Sequence, residues 1–183
     1  GVNIVRRGGF YTVYVWAFIY YFIRFRKYTD IIVDSENGLP FFTPIYSRKK
    51  KYLLIHHIHQ DVFRQHLSFP FSTIARFLEG KLMPLVYHNQ QVITVSESSK
   101  LEIDHFMPNS FSSIQIVNPG INFVKSNVST KTNDPTIVYV GRLKPYKNID
   151  VAVKAFIKIV ETYPNAVFKI AGTGESFDDL TKL

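Results

Sequence analysis

The segment at residues 136–147, TIVYVGRLKPYK, constrains the fold more than any other stretch. It opens on β-branched and aromatic residues, Ile137-Val138-Tyr139-Val140, the composition of a buried strand. Gly141 ends the run, and Arg142, Lys144 and Lys147 follow within a few residues. Asn148 then reads as the N-cap of an apolar-periodic helix with Ile149, Val153, Phe156, Ile157 and Val160 on one face. Strand, glycine turn, cationic loop and helix start aim positive charge and free backbone N–H groups beyond the carboxyl end of a strand, where open α/β sheets bind ligands. A diphosphate suits such a point. A solvated basic loop is the competing reading.

Beyond this segment the chain resembles a known family. Gly141-Arg142-Leu143, then Lys147, then the helix carrying Ala155-Phe156 resemble the first motif of the C-terminal domain in family 4 (group 1) glycosyltransferases. The likeness runs on through Pro164-Asn165-Ala166 and the strand Val167-Phe168-Lys169-Ile170-Ala171. It ends at Gly172-Thr173-Gly174-Glu175, which is similar to the family's second glycine-rich turn. The resemblance implies an α/β chain of GT-B type, with two Rossmann-like domains that hold a nucleotide-sugar donor between them. It also implies hexosyl-type transfer with retention of configuration, without metal or cofactor, for cell-surface glycan or glycolipid synthesis. By it, Arg142 and Lys147 grip the donor diphosphate and count as catalytic, with Gly141, Gly172 and Gly174 at the donor site. Residues 1–122 would be a partial N-terminal, acceptor-side domain, 123–135 a linker, and 136–183 the beginning of the C-terminal donor-binding domain.

The chain has 183 residues, 46% of them hydrophobic, enough for one large domain or parts of two. Its formal charge is +8, and residues 1–51 hold nine Lys/Arg against three Asp/Glu. Such a balance points to anionic partners: phosphorylated small molecules, a membrane surface or nucleic acid. No zinc-finger or RNA-recognition signature appears, so nucleic acid is set aside. The absence of cysteine excludes a disulfide framework and thiol chemistry.

Along the chain, Val2-Asn3-Ile4-Val5 is a candidate strand, and residues 10–25 form a strongly aromatic segment ending in Arg24, Arg26 and Lys27. Sixteen residues are short for a membrane span. The segment reads as the crossover helix of a βαβ unit, or alternatively as an amphipathic anchor with aromatics in lipid and cations toward anionic headgroups. The second reading makes the protein cytoplasmic and peripheral at the inner face of a membrane. Residues 30–34 form the next strand, and its loop offers Glu36 and Asn37 to a cleft, although both are also good turn formers. Arg48-Lys49-Lys50-Lys51 reads as a solvated approach to the strand Tyr52-Leu53-Leu54-Ile55.

That strand runs into His56-His57-Ile58-His59, and strand alternation would put His57 and His59 on one face. Zinc lacks an evident third ligand there. The family resemblance implies a histidine against the donor sugar, with His59 the first choice for this catalytic place and His57 the second. Residues 64–70 read as a loop and 72–87 as a helix. Val92-Ile93-Thr94-Val95 is a strand followed by Ser96, a cap of the next helix that also resembles a ligand-side serine of the family. Residues 114–117 form the last strand of this half, residues 118–122 close it, and 124–135 are polar and aperiodic.

Two family features have no match: a glycine-rich acceptor-side loop near the start of the N-terminal domain, and the late E-x7-E motif. The chain therefore reads as a piece of a longer enzyme and is expected to be inactive alone. No Asp-x-Asp triplet is present to hold a metal. The sugar, lipid or protein acceptor is not legible. The rival reading is a non-catalytic membrane-surface binding fragment that keeps the GT-B fold.

Overall fold

A computed structural model describes residues 1–9, 11–121 and 132–183. Its contacts divide the chain into two compact units, Gly1–Asn122 and Phe123–Leu183. Phe10, Asn122 and the linker residues 123–131 lie outside the described residues.

In the first unit, helix α1 (Val13–Tyr20) continues through a π-helical turn, Tyr21–Phe25, into strand β1 (Ile31–Glu36). Strand β2 (Lys50–Ile55) is followed by α2 (Gln60–His66) and α3 (Phe71–Phe77). A second π-helical turn, Leu78–Leu82, carries α3 into α4 (Met83–Val86). Then come β3 (Gln91–Thr94), α5 (Glu97–Phe106) and β4 (Ser113–Ile116). The four strands form one parallel sheet in chain order, β1-β2-β3-β4. Parallel neighbours require a crossover between strands, and the helices supply those after β2 and β3.

The period of two is visible in burial. Lys51, Leu53 and Ile55 turn inward on β2, as do Val92 and Thr94 on β3. Leu53, Ile55, Met83, Tyr87, Val92, Ile103 and Met107 make the core, flanked by Phe42, Ile58, Val86, Phe111 and Ile114. The helical segment buries Ala75, Glu79, Met83 and Tyr87, a row with a spacing of four.

Several expectations are corrected. Residues 2–5 form no strand and are exposed, since no neighbouring strand satisfies their backbone. Residues 64–66 belong to α2 and not to a loop. Lys51 is not solvated: alternation places it on the inner row, its ammonium donates to Lys49 O at 2.7 Å, and burial lowers its pKa. No residue of α1 is fully buried, although Tyr14 donates to Leu39 O at 3.2 Å and stacks near Phe41. Among the described residues no helix is long and apolar enough to cross a membrane.

In the second unit, β5 (Thr136–Val140) and β6 (Val167–Ala171) pair in parallel, joined by a 3-10 turn at Pro145–Lys147 and by α6 (Ile149–Thr162). Helix α7 (Phe177–Leu180) follows. The rings of Phe156 and Phe168, 5.5 Å apart, tie α6 to β6. Val138, Val140 and Ile157 nevertheless stay more than half exposed, because two strands and one long helix cannot cover each other's apolar faces.

Candidate functional site

The residues singled out in the sequence fall into two groups, one within each unit. The first lies at the carboxyl ends of β1 and β2. β2 ends at Ile55, so His56–His59 are loop residues and the strand-face argument for His57 and His59 does not hold. The chain turns there to start α2, with His59 at the N-cap position. The turn still brings the His57 and His59 rings together, 4.2 Å apart. His57 is exposed, whereas His59 is buried, with the Phe63 ring stacked 5.8 Å from its own.

His59 Nδ1 stands 2.9 Å from Glu36 Oε1 and 3.6 Å from Glu79 Oε1. Both carboxylates are wholly buried. Glu79 also accepts the His59 backbone N–H at 2.6 Å on one oxygen and the Gln60 side-chain amide at 2.6 Å on the other. Glu36 is less well served: beyond the ion-pair distance to His59, neither of its oxygens completes an aligned hydrogen bond. Burial pushes the Glu36 carboxyl up to about 7, against the pull of His59. Burial draws the His59 imidazole down, but the two carboxylates outweigh it and raise the ring to about 9.

The three ligand atoms lie within 4.8 Å of one another, so the trio has the spacing to share a proton or a cation. The 2.9 Å separation of Nδ1 and Oε1 favours the proton, since neighbouring ligands of a tetrahedral zinc ion stand about 3.4 Å apart. Asn37, next to Glu36, is exposed and outside the trio. Ser96 is accounted for by capping: its hydroxyl accepts the Ser99 N–H at 3.2 Å at the start of α5.

Reading the sequence missed Glu79 and Asp34. Glu79 is a carboxylate inside an apolar row, four positions from both Ala75 and Met83, and that misplacement is its signal. Asp34 shares the inward row of β1 with Glu36. Its carboxylate accepts the backbone N–H groups of Phe41 (2.9 Å) and Thr43 (3.1 Å) and the hydroxyl of Tyr87. It thereby pins the loop that follows Glu36.

The second group follows β5. Gly141 N–H donates to Ala171 O at 3.0 Å, Leu143 N–H to Thr173 O at 2.9 Å, and Ser176 N–H to Leu143 O at 3.1 Å. The two glycine-rich turns are thus zipped to each other. A Cβ on Gly172 would lie 1.9 Å from Gly141 O, and one on Gly174 2.2 Å from Leu143 O. Both glycines are required by this close backbone approach, whatever they do toward a ligand.

On the zipped frame, Leu143 is buried while Arg142 and Lys147 are exposed. Lys144 pairs with Glu175 at 3.1 Å. Arg142 and Lys147 have no carboxylate partner among the described residues. They meet Tyr146 instead, Arg142 Nη2 at 3.4 Å from its hydroxyl and Lys147 Nζ 5.1 Å from its ring centre. Asn148 does not cap α6 through its side chain: it adopts a left-handed conformation, φ 51°, as the chain reverses from the 3-10 turn into the helix.

Comparison with known proteins bears on both units. Residues 122–183 match the family described as Glycosyl transferases group 1. An uncharacterized glycosyltransferase of Haemophilus influenzae is 31% identical over 127 residues, covering 68% of this chain and 35% of that protein. One of Methanocaldococcus jannaschii is 30% identical over 111 residues, covering 53% and 28%. The chain thus spans about a third of the length of these relatives. The crystal structure of TarM, a GT-B protein, superimposes with a TM-score of 0.54 at 20% identity, covering 90% of this chain and 32% of TarM. With its parallel α/β sheets the chain carries part of the GT-B fold, and its residues 122–183 carry the match to the group 1 glycosyltransferases.

Proposed function

We propose that the chain is part of a retaining, hexosyl-type glycosyltransferase in which Arg142 and Lys147 hold the diphosphate of a nucleotide-sugar donor. One observation carries this reading. Of the three loop cations, Lys144 is neutralised by Glu175, while Arg142 and Lys147 remain uncommitted, side by side on Tyr146 beyond the carboxyl end of β5. As the bond between sugar and phosphate breaks, negative charge grows on the leaving diphosphate. Fixed cations there stabilise the transition state more than the ground state. Neither cation needs a metal to do this. The acceptor is a sugar, lipid or protein hydroxyl, with cell-surface glycan or glycolipid synthesis as the setting.

Titration of the chain with a nucleoside diphosphate tests the assignment. Backbone amide resonances of residues 141–144, 146 and 147 should shift in a saturable way, and Arg142→Ala with Lys147→Ala should abolish the shift. Shifts that persist in the double variant would end it.

The setting at the inner face of a membrane rests on a separate observation. The π-helical turn exposes Phe22 and Ile23 beside Arg24 and Arg26, whose guanidinium groups lie 5.8 Å and 5.6 Å over the rings of Phe25 and Phe22. Lys27, Arg48 and Lys49 line the adjoining groove. Sedimentation with anionic liposomes should carry the chain down at low salt, less so at high salt, and less with Arg24, Arg26 and Lys27 changed to glutamine. Equal sedimentation with neutral and anionic vesicles would refute the electrostatic contact.

A further inference from the structure

We propose that Glu36 and Glu79 are positioning residues that hold His57 and His59 in opposite protonation states: His59 as a fixed cationic hydrogen-bond donor, His57 as its neutral neighbour. The inference rests on the reading that the carboxyl edge of the first sheet takes part in sugar transfer. It adds that His59 serves there as a charged donor to a hydroxyl or phosphate oxygen and not as a base.

Geometry comes first. Two buried carboxylates, one from β1 and one from the π-helical turn after α3, converge on a single ring nitrogen at 2.9 Å and 3.6 Å. A bare Nδ1 would face both with its lone pair, so a proton on Nδ1 is favoured, although Nδ1 aligns fully with neither carboxylate. Among the described residues neither Glu36 oxygen has another hydrogen-bond donor. With both carboxylates ionised, as Glu36 is above about pH 7, a neutral ring would leave two negative charges in a closed space, whereas an imidazolium cancels one. Glu79 fixes the backbone as well as the ring, because the oxygen nearest Nδ1 also takes the His59 N–H at 2.6 Å. Gln60 braces the other oxygen and is itself held by Arg76, whose Nε donates to it at 3.2 Å.

The second histidine follows from the first. With its ring centre 4.2 Å from a cation, His57 is pushed toward the neutral form; the partial desolvation of its ring lowers it first, then the charge of His59. Glu102 from α5 and, more weakly, Glu79 pull the other way, and His56 adds a minor push down. Tyr14 of α1, held at Leu39, stays protonated beside Glu36. Adjacent groups driven apart in this way are the arrangement in which one donates while the other accepts.

Imidazole nitrogen NMR on the uniformly labelled chain reads the states directly. At about pH 7.5, His59 should show both ring nitrogens protonated and His57 only one. Glu36→Gln and Glu79→Gln should each move His59 toward the neutral form, and Glu36→Gln should let His57 protonate more readily, with the circular dichroism spectrum unchanged. In a sugar-transfer assay of the longer enzyme of which this chain is proposed to be part, the same variants should lower kcat about tenfold with little change in donor KM, and bring the alkaline limb of the pH–rate profile to lower pH. A structural role alone would reduce the folded fraction and leave that limb in place. A neutral His59 in the unaltered chain overturns the proposal. So does stoichiometric Zn²⁺ binding that depends on Glu36 and displaces the Nδ1 proton. The NMR result does not depend on turnover, so its failure is distinct from failure of the transferase reading, which the Arg142 and Lys147 variants test.

Discussion

In the longer enzyme of which this chain is proposed to be part, Arg142→Ala should lower sugar transfer about a hundredfold, a loss of about 2.7 kcal/mol of transition-state stabilisation, with the fold intact. The side chain is exposed and its one polar contact among the described residues is a 3.4 Å approach to the Tyr146 hydroxyl, so its removal leaves no described buried group unpaired. Lys147→Ala should behave similarly but more mildly, since an ammonium is a point charge and cannot offer a diphosphate two parallel N–H donors as a guanidinium can. Lys144→Ala is the internal control. Its charge is already spent on Glu175, and its loss should affect turnover least of the three. Near-normal turnover in both the Arg142 and Lys147 variants would remove these residues from the mechanism.

Asp34→Ala should be the most damaging single change to stability in the first unit. The substitution strips partners from two backbone N–H groups and from the hydroxyl of Tyr87, a residue with no exposed surface. Each buried polar group left unsatisfied costs about 1–3 kcal/mol, so a loss of about 3 kcal/mol or more is expected, with the melting temperature down by about 10 °C or more. Asp34→Asn should fall between, keeping one acceptor oxygen but turning an N–H₂ toward the Thr43 amide. Tyr87→Phe should cost less than Asp34→Ala, because both loop amides keep their carboxylate. A denaturant midpoint for Asp34→Ala within experimental error of the unaltered chain would mean that water restores all three bonds.

The strands of both sheets were legible because their signal is local: short β-branched runs at 31–33, 52–55, 92–95 and 136–140, each ended by polar residues or glycine. The family motif was legible for a related reason, since Gly141, Arg142, Lys147, Gly172 and Gly174 stand at spacings fixed by one strand–loop–helix–strand unit. What stayed hidden depends on contacts between distant positions. Glu79 and Asp34 look like ordinary surface charges until the fold brings Glu79 to the loop after β2 and Asp34 to Tyr87. His59 was chosen for a strand position that it does not occupy. Its place in the trio depends on the loop that begins after Ile55, and loop geometry leaves no periodic trace. The zipping of the two glycine turns was equally invisible. The sequence shows that glycines are present but not that Gly172 must sit against the Gly141 carbonyl.

A parallel pairing cannot be closed by a tight hairpin, so each strand of the first sheet must wait for the chain beyond it to fold back. Position 31 meets 50 and position 91 meets 113, but position 52 must find 91 across the whole of α2, α3 and α4. Closures of that length are entropically expensive before any contact rewards them, and they slow folding. The β2–β3 closure is also the one that brings Leu53 and Ile55 into register with Val92 and Thr94. Until it forms, the inner row of β2 has no partner on that side, and its backbone edge can pair with any strand it meets. The interval between the synthesis of β2 and the arrival of β3 is therefore when this chain is most prone to bind another copy of itself.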